Sequence, residues 1–494
     1  MVETYLGSKG YTILKKDITE SKLLDIKTKL MIKPYMPGSP FKIETSYPAF
    51  RESNKKLYLP RYYGEKIFGA PKEYKLSEGD DISLTFNGEL REYQKPTIYK
   101  YLDHVKNGGS GLLELYCGWG KTDSTIYIIG KLKKKTLIIV HKSFLMDQWI
   151  ERINKYFPNA RIGKIQGQTI DIDNKDIVIG MLQSLSMKDY PTSIFDTFGF
   201  TIIDEVHHIS SEVFSCALFK IVTKYMLGLS ATMDRKDGTT TVFKMFLGNV
   251  VDKQVRDKSD VVTVRSIVYK TTDEEFNKVE TDFKGNTAIA KMIGKICTYN
   301  YRSEFIIKII ADMLKENPKQ QIMLISQYKN ILNYMYSSIQ HKNIATIGYY
   351  VGGMKQEELK NSESKQIVLA TYTMAAEGLD IKTLSTLFMI TPMTNIEQAV
   401  GRILRQKHEF GATVVDIVDN HTNFQNQWTK RKRFYKKQNY KIMQTDNYNY
   451  NPDITTWKTL FNPDRKIEVV SDDEEEVNTT KSMGCLLLTK NNSK

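Results

Sequence analysis

Short apolar segments recur through the middle and second half of this sequence, and they constrain its fold more than any other feature. The runs are TLIIV (136–140), DIVIG (176–180), TIIDE (201–205), YMLGLSA (225–231), QIMLIS (321–326), QIVLATY (366–372), TLFMIT (386–391) and TVVDIVD (413–419). Each is too short and too continuously apolar for an amphipathic helix, and such runs are typical of strands buried on both faces. Helical patterns lie between them, for example at 142–156 and 303–316. The alternation predicts an α/β fold with two domains, each built on a parallel sheet.

The same pattern divides the chain into five segments. Residues 1–88 are rich in Pro, Tyr and Gly and lack the alternation of strands and helices, so a small β-rich domain is expected there. The acidic run SDDEEE (471–476) is typical of a disordered tail. The expected segments are an N-terminal accessory domain (1–88), a first α/β domain (89–255), a linker (256–299), a second α/β domain (300–442) and a C-terminal extension (443–494). The linker is expected to contain one strand, VVTVRSIVY.

The charge of the chain indicates its class of partner. The net charge is +14 and the pI is about 9.2, which favours a polyanion, either nucleic acid or an anionic membrane. The start of the chain lacks the apolar region of a secretory signal, and no apolar run approaches the roughly 20 residues of a membrane span. Nucleic acid is therefore the expected partner, and no membrane is. The four cysteines form no C-x-x-C pair, which fits a reducing compartment and argues against a thiolate zinc site.

A candidate phosphate-binding loop lies in the sequence CGWGKT (117–122). It follows the apolar stretch GLLELY and precedes the helix-like stretch DSTIYIIGKL, which is the strand, loop and helix order of such loops. Lys121 would reach the β- and γ-phosphates, and the Thr122 hydroxyl would bind Mg²⁺. The full pattern has Gly five residues before Gly120, where this sequence has Leu115. The candidate ATP-binding residues are Cys117, Gly118, Trp119, Gly120, Lys121 and Thr122.

The stretch TIIDEVHHI (201–209) places two carboxylates beside two histidines and admits two interpretations. A zinc site would need histidines at i and i+4 of a helix, or Cys and His together, whereas His207 and His208 are adjacent. Asp204 and Glu205 instead end a buried strand, where ligands bind in parallel sheets. There Asp204 would hold Mg²⁺ through water, and Glu205 would position or activate the attacking water. We therefore expect half of a nucleotide site, with ATP and Mg²⁺ as cofactors.

Four motifs occur in an order and spacing that resemble superfamily 2 helicases of the DExH type. They are CGWGKT, DEVHH, SAT (230–232) and QAVGRILR (398–405), and the resemblance covers residues 90–440. It implies two tandem RecA-like domains and an ATP-dependent helicase or translocase. LGLSATMDRKDG (227–238) looks most like the XPB-like branch, and YLPRYYG (58–64) resembles the N-terminal region of helicases from large DNA viruses of the transcript-release type. That branch implies DNA as the favoured substrate over RNA, a link to viral transcription machinery, and a location in the host cytoplasm or virion.

The resemblance also implies roles for residues outside the phosphate loop. In LREYQ (90–94), Arg91 would stack on the adenine base and Gln94 would hydrogen-bond it. His207 would couple the acid motif to the motifs that follow, while His208 is expected to be structural. The stretches at 140–149, 180–185, 350–354 and 370–381 are similar to motifs that contact nucleic acid. The implied nucleic-acid contacts are His141, Lys142, Gln183, Ser184, Gly352, Gly353 and Thr371.

The arginines of QAVGRILR are candidates for groups that act on the γ-phosphate. Arg402 and Arg405 lie at i and i+3 of an expected helix, so both should project to one side, with Gln398 one turn earlier. As arginine fingers they would cross the cleft between the domains and neutralise charge in the transition state. ATP would then close the cleft, and hydrolysis with product release would reopen it.

A basic and aromatic segment, TKRKRFYKKQNYK (429–441), suits either backbone contact and base stacking or a solvated helix face. Three classes of function remain in competition, of which a phosphate-loop ATPase with a protein or membrane substrate is opposed by the net charge and by the motifs of the second domain. The leading one is a DNA-directed ATP-dependent helicase or translocase, and an RNA helicase is its alternative. A scaffold without enzymatic activity is opposed by the presence of Lys121, Thr122, Glu205 and both arginines.

Overall fold

The computed structural model describes residues 2–34, 46–107, 109–210, 212–233, 238–256, 261–379 and 381–463. Part of the expected accessory domain (35–45), the segment RKD (235–237) and the acidic run 471–476 lie outside the described residues. Each helix in the described ranges is too short or too polar to cross a lipid bilayer.

The N-terminal unit is a small sheet with two helices. Its elements are β1 (Thr4–Gly7), β2 (Gly10–Leu14), α1 (Glu20–Lys29), β3 (Met31–Ile32), β4 (Tyr47–Pro48), β5 (Arg51–Glu52), β6 (Lys56–Leu59), α2 (Arg61–Phe68) and β7 (Glu73–Tyr74). The strand order β5-β6-β2-β1-β7 is mainly antiparallel. Leu6, Tyr11 and Leu59 are fully buried in a core of their own.

The first large sheet follows, and its elements alternate as the sequence predicts. They are α3 (Lys95–Lys106), β8 (Gly111–Leu115), α4 (Lys121–Leu132), β9 (Thr136–Val140), α5 (Ser143–Tyr156), β10 (Ile162–Gln166), β11 (Thr169–Asp171), β12 (Ile177–Met181), α6 (Leu182–Met187), β13 (Phe200–Ile203), α7 (Glu212–Lys220), β14 (Tyr225–Ser230), α8 (Thr240–Leu247) and β15 (Val250–Gln254). The strand order is β11-β10-β12-β9-β13-β14-β8-β15, and only the pairing of β11 is antiparallel. Ile138 and Leu137 of β9 enter different core clusters, so this strand is buried on both faces.

The second large sheet has the same construction. Its elements are β16 (Val262–Tyr269), α9 (Glu274–Asn277), α10 (Ile289–Thr298), α11 (Asn300–Glu316), β17 (Gln321–Ser326), α12 (Lys329–His341), β18 (Ile347–Tyr350), α13 (Gln356–Glu363), β19 (Ile367–Thr371), α14 (Tyr372–Glu377), β20 (Leu384–Met389), α15 (Glu397–Val400), β21 (Ala412–Asp419), α16 (Thr422–Lys437), β22 (Lys441–Asp446) and β23 (Lys458–Phe461). The order is β18-β19-β17-β20-β21-β16-β22-β23, with only β23 antiparallel. Together the two sheets form the predicted α/β fold of two tandem RecA-like domains with a small N-terminal domain.

The segment 256–299 differs from the linker that the sequence predicts. Its strand, β16, exists but lies inside the second sheet, paired in parallel with β21 on one side and β22 on the other. Met292 and Ile296 of α10 are buried in the core of the same domain. The strands β22 and β23 likewise place residues up to 461 in this sheet, beyond the expected end at 442. Because β16 is paired with a neighbour along both edges and is largely buried, it is part of the sheet and cannot act as a flexible linker.

Candidate active site

The sequence CGWGKT forms a tight loop between β8 and α4. Gly118 and Gly120 have φ values of 88° and 94°, which favour glycine. A Cβ at Gly120 would also lie 2.4 Å from the amide nitrogen of Gln94, so a side chain has no room there. The helix α4 begins at Lys121, and its N-terminal N–H groups therefore adjoin the loop with Thr122 in the first turn. The loop therefore precedes a helix N-terminus, the arrangement in which backbone N–H groups can bind phosphate.

Lys121 is held by the acid motif. Its ammonium lies 2.9 Å from the Glu205 carboxylate, and the two side chains are 15% and 14% exposed. Glu205 has a φ of 48°, an uncommon conformation for a residue with a side chain, and such strain occurs often at active sites. Burial alone would raise the pKa of Glu205, but the charge of Lys121 and then of His207 outweighs it and lowers that pKa. Glu205 is thus a carboxylate at neutral pH.

Asp204 sits beside this pair with partners of its own. One carboxylate oxygen accepts a hydrogen bond of 3.0 Å from the indole N–H of Trp149, and the other accepts from the backbone N–H of Glu205 at 3.0 Å. Burial and the neighbouring Glu205 charge raise the pKa of Asp204. The sequence analysis did not predict a role for Trp149, although this residue lies in the stretch 140–149. Trp149 comes four residues after Leu145, which is the spacing of the buried residues on α5.

His207 connects the acid motif to the SAT motif. Its Nδ1 lies 2.9 Å from the Ser230 hydroxyl and 3.4 Å from Glu205. The Ser230 hydroxyl donates its one proton to the Thr232 carbonyl at 2.7 Å, so Nδ1 of His207 must donate to Ser230. This geometry agrees with the coupling role that the family resemblance implies for His207.

His208 belongs to a stack of three imidazole rings. Its ring lies 4.3 Å from that of His207 and 4.0 Å from that of His141, measured between centroids. His141 follows β9 in one of the stretches that resemble nucleic-acid-contacting motifs. The rings stack on one another instead of converging on a common centre, and the described part of the chain contains no group of three or more His, Cys, Asp or Glu side chains placed to hold a metal ion.

The residues expected to contact adenine are connected to the phosphate loop by hydrogen bonds. The Gln94 side chain is buried and joins the two, because its amide donates to the Trp119 carbonyl at 2.9 Å while its oxygen accepts from the Arg91 backbone N–H at 2.9 Å. Arg91 donates to the Tyr93 hydroxyl at 2.8 Å, which donates to the same carbonyl at 3.1 Å. The indole of Trp119 is only 1% exposed, so this residue meets the site through its backbone.

The second domain reaches the same loop through Arg405. The Cγ of Arg405 lies 3.9 Å from the position that a Cβ of Gly118 would occupy, and its guanidinium donates to the Leu379 carbonyl at 2.7 Å. Burial, with a smaller contribution from the charge of Arg152, lowers the pKa of Arg405 to about 10, so this arginine stays charged at neutral pH. Cys117 also adjoins this domain, because a Cβ at Gly401 would lie 2.9 Å from its own Cβ.

Arg402 and Arg405 both reach the Leu379 carbonyl, so the two guanidinium groups project to one side as the sequence predicts, but Arg402 is held by its own domain. The 3-10 turn Gly401–Leu404, with Arg405 as its C-cap, favours this arrangement because side chains three residues apart eclipse one another in such a turn. Arg402 donates to the backbone carbonyls of Ala375 at 2.8 Å and Leu379 at 3.0 Å, and it also bonds that of Ala376. These groups end α14 of its own domain, so Arg402 caps a helix. Gln398 is half-buried on α15.

Arg256, which sequence reasoning missed, lies between the two domains. It lies two residues after the end of β15, and its guanidinium donates to the Cys117 carbonyl at 3.4 Å and also to the Leu404 carbonyl. The same group lies 5.7 Å from the ring centre of Tyr116. A single arginine after an edge strand gives no sequence signal for this position.

The expected nucleic-acid contacts lie at the carboxyl ends of parallel strands. Because β12 is paired with β9 and β18 with β19, the residues at these strand ends lie near each other within each sheet, where ligands of open α/β sheets bind. Their positions are His141 and Lys142 after β9, Gln183 and Ser184 on α6 after β12, Gly352 and Gly353 after β18, and Thr371 at the end of β19. The Ser184 hydroxyl already accepts the Gly167 N–H at 2.9 Å, whereas Gly353 has a φ of 93° and open space at its Cβ position.

The basic segment 429–441 contributes one face to the core of the second domain. It continues α16, whose buried residues Phe424, Trp428, Arg431 and Tyr435 repeat at helical spacing. Arg431 and Asp416 form an ion pair with both side chains 1% exposed, and Tyr440 is buried as well. Tyr435 and Tyr440 are therefore unable to stack on bases, whereas Phe434 is half-buried. The outward lysines and the exposed Arg433 could contact a phosphate.

Two family descriptions match the chain. Residues 87–235 match the family described as "Type III restriction enzyme, res subunit", and residues 304–407 match the one described as "Helicase conserved C-terminal domain". The first match contains the phosphate loop and the acid motif, and the second ends two residues beyond Arg405.

Viral proteins are similar over most of the chain. One, named "Putative ATP-dependent RNA helicase L396" of Acanthamoeba polyphaga mimivirus, is 34% identical, with 89% of this chain and 86% of the relative covered. Another, "Putative helicase 161L" of Invertebrate iridescent virus 6, is 26% identical over 86% of this chain and 98% of the relative. Among solved structures, "The crystal structure of T4 UvsW" covers 90% of this chain and 99% of its own at 19% identity. Its TM-score of 0.34 is too low to support any comparison in detail.

Proposed function

The chain belongs to the superfamily 2 helicase family of these viral proteins, and from that premise we propose that it hydrolyses ATP between its two RecA-like domains while moving along one nucleic-acid strand. The observation that carries this proposal is the approach of Arg405 to Gly118. An arginine that reaches a phosphate from another domain makes hydrolysis depend on how the two domains are arranged. The activity itself, ATP-dependent helicase, follows from the family.

ATP would bind with its phosphates on the loop 117–122. Lys121 would exchange its partner Glu205 for the β- and γ-phosphates, and this exchange would free the Glu205 carboxylate to orient a water molecule. Arg405 would add positive charge from the opposite side of the cleft. Gln94, which already binds the loop through Trp119, would sense the base.

The residues present fit a Mg²⁺ ion. Mg²⁺ prefers oxygen ligands, and the Thr122 hydroxyl and the Asp204 carboxylate supply them. The raised pKa of Asp204 reflects a buried carboxylate next to a second one, a position that a divalent cation would stabilise. When bound with ATP, the ion would neutralise phosphate charge. Trp149 would keep the Asp204 carboxylate oriented through its indole hydrogen bond.

DNA is the substrate that we propose first, because the XPB-like resemblance of the sequence favours it. RNA is the second candidate, since the mimivirus relative is named as an RNA helicase. Either strand would cross the carboxyl edges of the two sheets, where His141 and Thr371 lie. The XPB-like branch, the link to viral transcription machinery and the location in host cytoplasm or virion stay predictions.

The test is ATP hydrolysis measured without polymer and with single-stranded DNA, duplex DNA and RNA of matched sequence. We expect stimulation by a single strand, and the stronger of the DNA and RNA responses decides between the two candidates. Glu205→Gln should keep ATP binding but lower turnover by roughly 10²–10⁴-fold. Lys121→Ala should abolish hydrolysis and weaken ATP binding. Hydrolysis that no polymer stimulates would contradict the proposed motor, and normal turnover in Glu205→Gln would contradict its site.

A further inference from the structure

A tyrosine-lined pocket opens in the second domain away from the candidate active site. It has a volume of about 500 Å³, and its walls follow the carboxyl ends of β16 and β22 and the start of α11. The residues that matter here are Tyr269, Lys270, Asp273, Tyr299, Tyr301 and Tyr448. None of them belongs to the helicase motifs that the sequence analysis identified.

Two of these rings are turned to solvent. The side chains of Tyr301 and Tyr448 are 77% and 65% exposed, and the ring of Tyr301 lies 5.7 Å from that of Tyr299. Each ring offers a flat apolar face that folding leaves uncovered. A ligand with a flat aromatic face would remove that surface from water and gain ring contacts in addition.

The frame beneath the rings is fixed by hydrogen bonds. The Asn447 side chain accepts from the backbone N–H of Lys270 at 2.7 Å and donates to its carbonyl at 3.0 Å. The Tyr299 hydroxyl donates to the Asp273 carboxylate at 2.9 Å. A pocket held in this way requires little reorganisation when a ligand enters, which favours binding.

The strand order aligns this pocket with the expected nucleic-acid path. From β19, which ends at Thr371, the sheet runs through β17, β20 and β21 to β16, so the pocket lies four strands along the same carboxyl edge. At about 4.8 Å per strand the separation is roughly 19 Å. A stacked strand with one phosphate per about 3.4 Å would cover that distance in roughly six nucleotides, and an extended strand in fewer.

The charges of the pocket are already paired within the protein. Lys270 lies 3.1 Å from Asp446, and Asp273 accepts the Tyr299 hydroxyl. The pocket therefore offers little free positive charge to a phosphate, and its contribution would come from stacking. Stacking tolerates any base, because every base has an aromatic face.

We propose that Tyr301 and Tyr448 form a base-stacking site for an unpaired nucleotide of the strand that the motor holds. This inference rests on the proposed function, since it requires a strand on the carboxyl edge of the second sheet. The ligand is single-stranded nucleic acid of any sequence. The site would lengthen the bound stretch beyond the helicase motifs by the roughly six nucleotides estimated above.

The experiment measures binding of fluorescent oligothymidylates and oligouridylates of 6 to 20 nucleotides to the full chain and to Tyr301→Ala. We expect the affinity of the unmodified protein to rise when the oligonucleotide becomes long enough to reach the pocket. Tyr301→Ala should remove that rise, weakening long oligonucleotides between roughly fivefold and 150-fold and leaving short ones unchanged. Tyr301→Phe should retain it. Tyr74→Ala, which removes a 60% exposed tyrosine of the N-terminal unit, is the matched control.

Two further measurements make the outcome specific to stacking. The slope of affinity against salt should be the same with and without Tyr301, because no phosphate contact is lost. An oligonucleotide with 2-aminopurine at successive positions should be quenched at one position in the unmodified protein and not in Tyr448→Ala. Equal affinity of the Tyr301→Ala, Tyr448→Ala and unmodified proteins at all lengths would overturn the site and leave the pocket to another ligand, such as a protein segment. Absence of oligonucleotide binding in the unmodified protein would instead overturn the proposed function.

Discussion

The two large domains use charged residues in opposite ways. At the carboxyl edge of the first sheet, the ion pair of Lys121 and Glu205 is 2.9 Å long and keeps about 15% of each side chain exposed. In the second domain, Arg431 of α16 and Asp416 within β21 are both 1% exposed, and the arginine also donates to the Met393 carbonyl at 2.7 Å. A phosphate can replace one partner of the first pair, whereas the second pair is enclosed in the core. The surroundings of an ion pair therefore distinguish a ligand site from a structural pair.

The two arginines of QAVGRILR also differ in whether they contact only their own domain. Arg402 makes its hydrogen bonds to carbonyls that end α14 of its own domain. Arg405 donates to the Leu379 carbonyl and lies beside Gly118 of the other domain. One motif therefore contains a residue that supports the fold and a residue that could meet a ligand.

The largest expected effect is on Arg405. Arg405→Ala should leave ATP binding and the fold intact but lower polymer-stimulated turnover by about 10³-fold or more, because charge in the transition state is no longer neutralised. Arg405→Lys should not rescue it, since an ammonium lacks the planar fork of the guanidinium. Turnover and nucleotide binding are measured side by side.

Arg402→Ala is the matched control within the motif. It leaves buried carbonyls without a donor, at a cost of roughly 1–3 kcal/mol, so the unfolding midpoint should fall. A variant of Arg402 that unfolds normally but fails to hydrolyse ATP would break the distinction between the two arginines.

The enclosed pair of the second domain should respond through stability. Arg431→Met leaves a buried charge on Asp416 and should lower the free energy of unfolding by roughly 3–5 kcal/mol. The double variant Arg431→Met with Asp416→Leu should recover most of that loss, because neither charge remains buried alone. Chemical unfolding of both variants makes the measurement. Lost nucleic-acid binding without lost stability would return Arg431 to the group of functional residues.

A smaller effect is expected from the imidazole stack at the first edge. His208 lies between His207 of the acid motif and His141 after β9, so it could transmit strand binding to Glu205. His208→Ala should reduce polymer stimulation of ATP hydrolysis by roughly twofold to thirtyfold, the range for residues that modulate coupling. His208→Phe keeps a stacked ring and should lose less. Equal stimulation in all three proteins would show that the stack is only packing.

The smallest effect belongs to the outward lysines of α16. Lys430, Lys436 and Lys437 are exposed, whereas Arg431 and Tyr435 of the same segment are buried. Replacing the three lysines by glutamine should flatten the salt dependence of nucleic-acid binding by roughly one unit per lost phosphate contact. An unchanged slope would assign this face to solvent alone.

Local patterns predicted most of the strands, because a strand buried on both faces is continuously apolar. They did not predict which strands would pair. The run at 261–269 reads as a strand, yet its place between β21 and β22 depends on residues more than 140 positions away. Pairing at that distance leaves no local signal, and the linker prediction was wrong for that reason.

Two features of the candidate site and its surroundings were also not predicted from the sequence. One face of α16 has the spacing of a buried helix face, at Phe424, Trp428, Arg431 and Tyr435. The many charged residues of the same segment favoured an exposed helix instead, so the buried face was not predicted. Arg256 could not be predicted at all, since its role depends on contacts with two loops far apart in the sequence. Residues with local motifs were identified, and residues that support them from other elements were not.

A disulfide between the two domains would show that they meet at the phosphate loop. A Cβ at Gly401 would lie 2.9 Å from the Cβ of Cys117, slightly closer than the roughly 3.5–4.5 Å of a disulfide. Gly401→Cys should therefore crosslink to Cys117 on mild oxidation, which changes mobility in non-reducing electrophoresis, and the added substitution Cys117→Ser should prevent it. We expect an efficient crosslink that reduction reverses. A folded Gly401→Cys protein in which Cys117 reacts with a thiol reagent but never forms this bond would contradict the shared cleft.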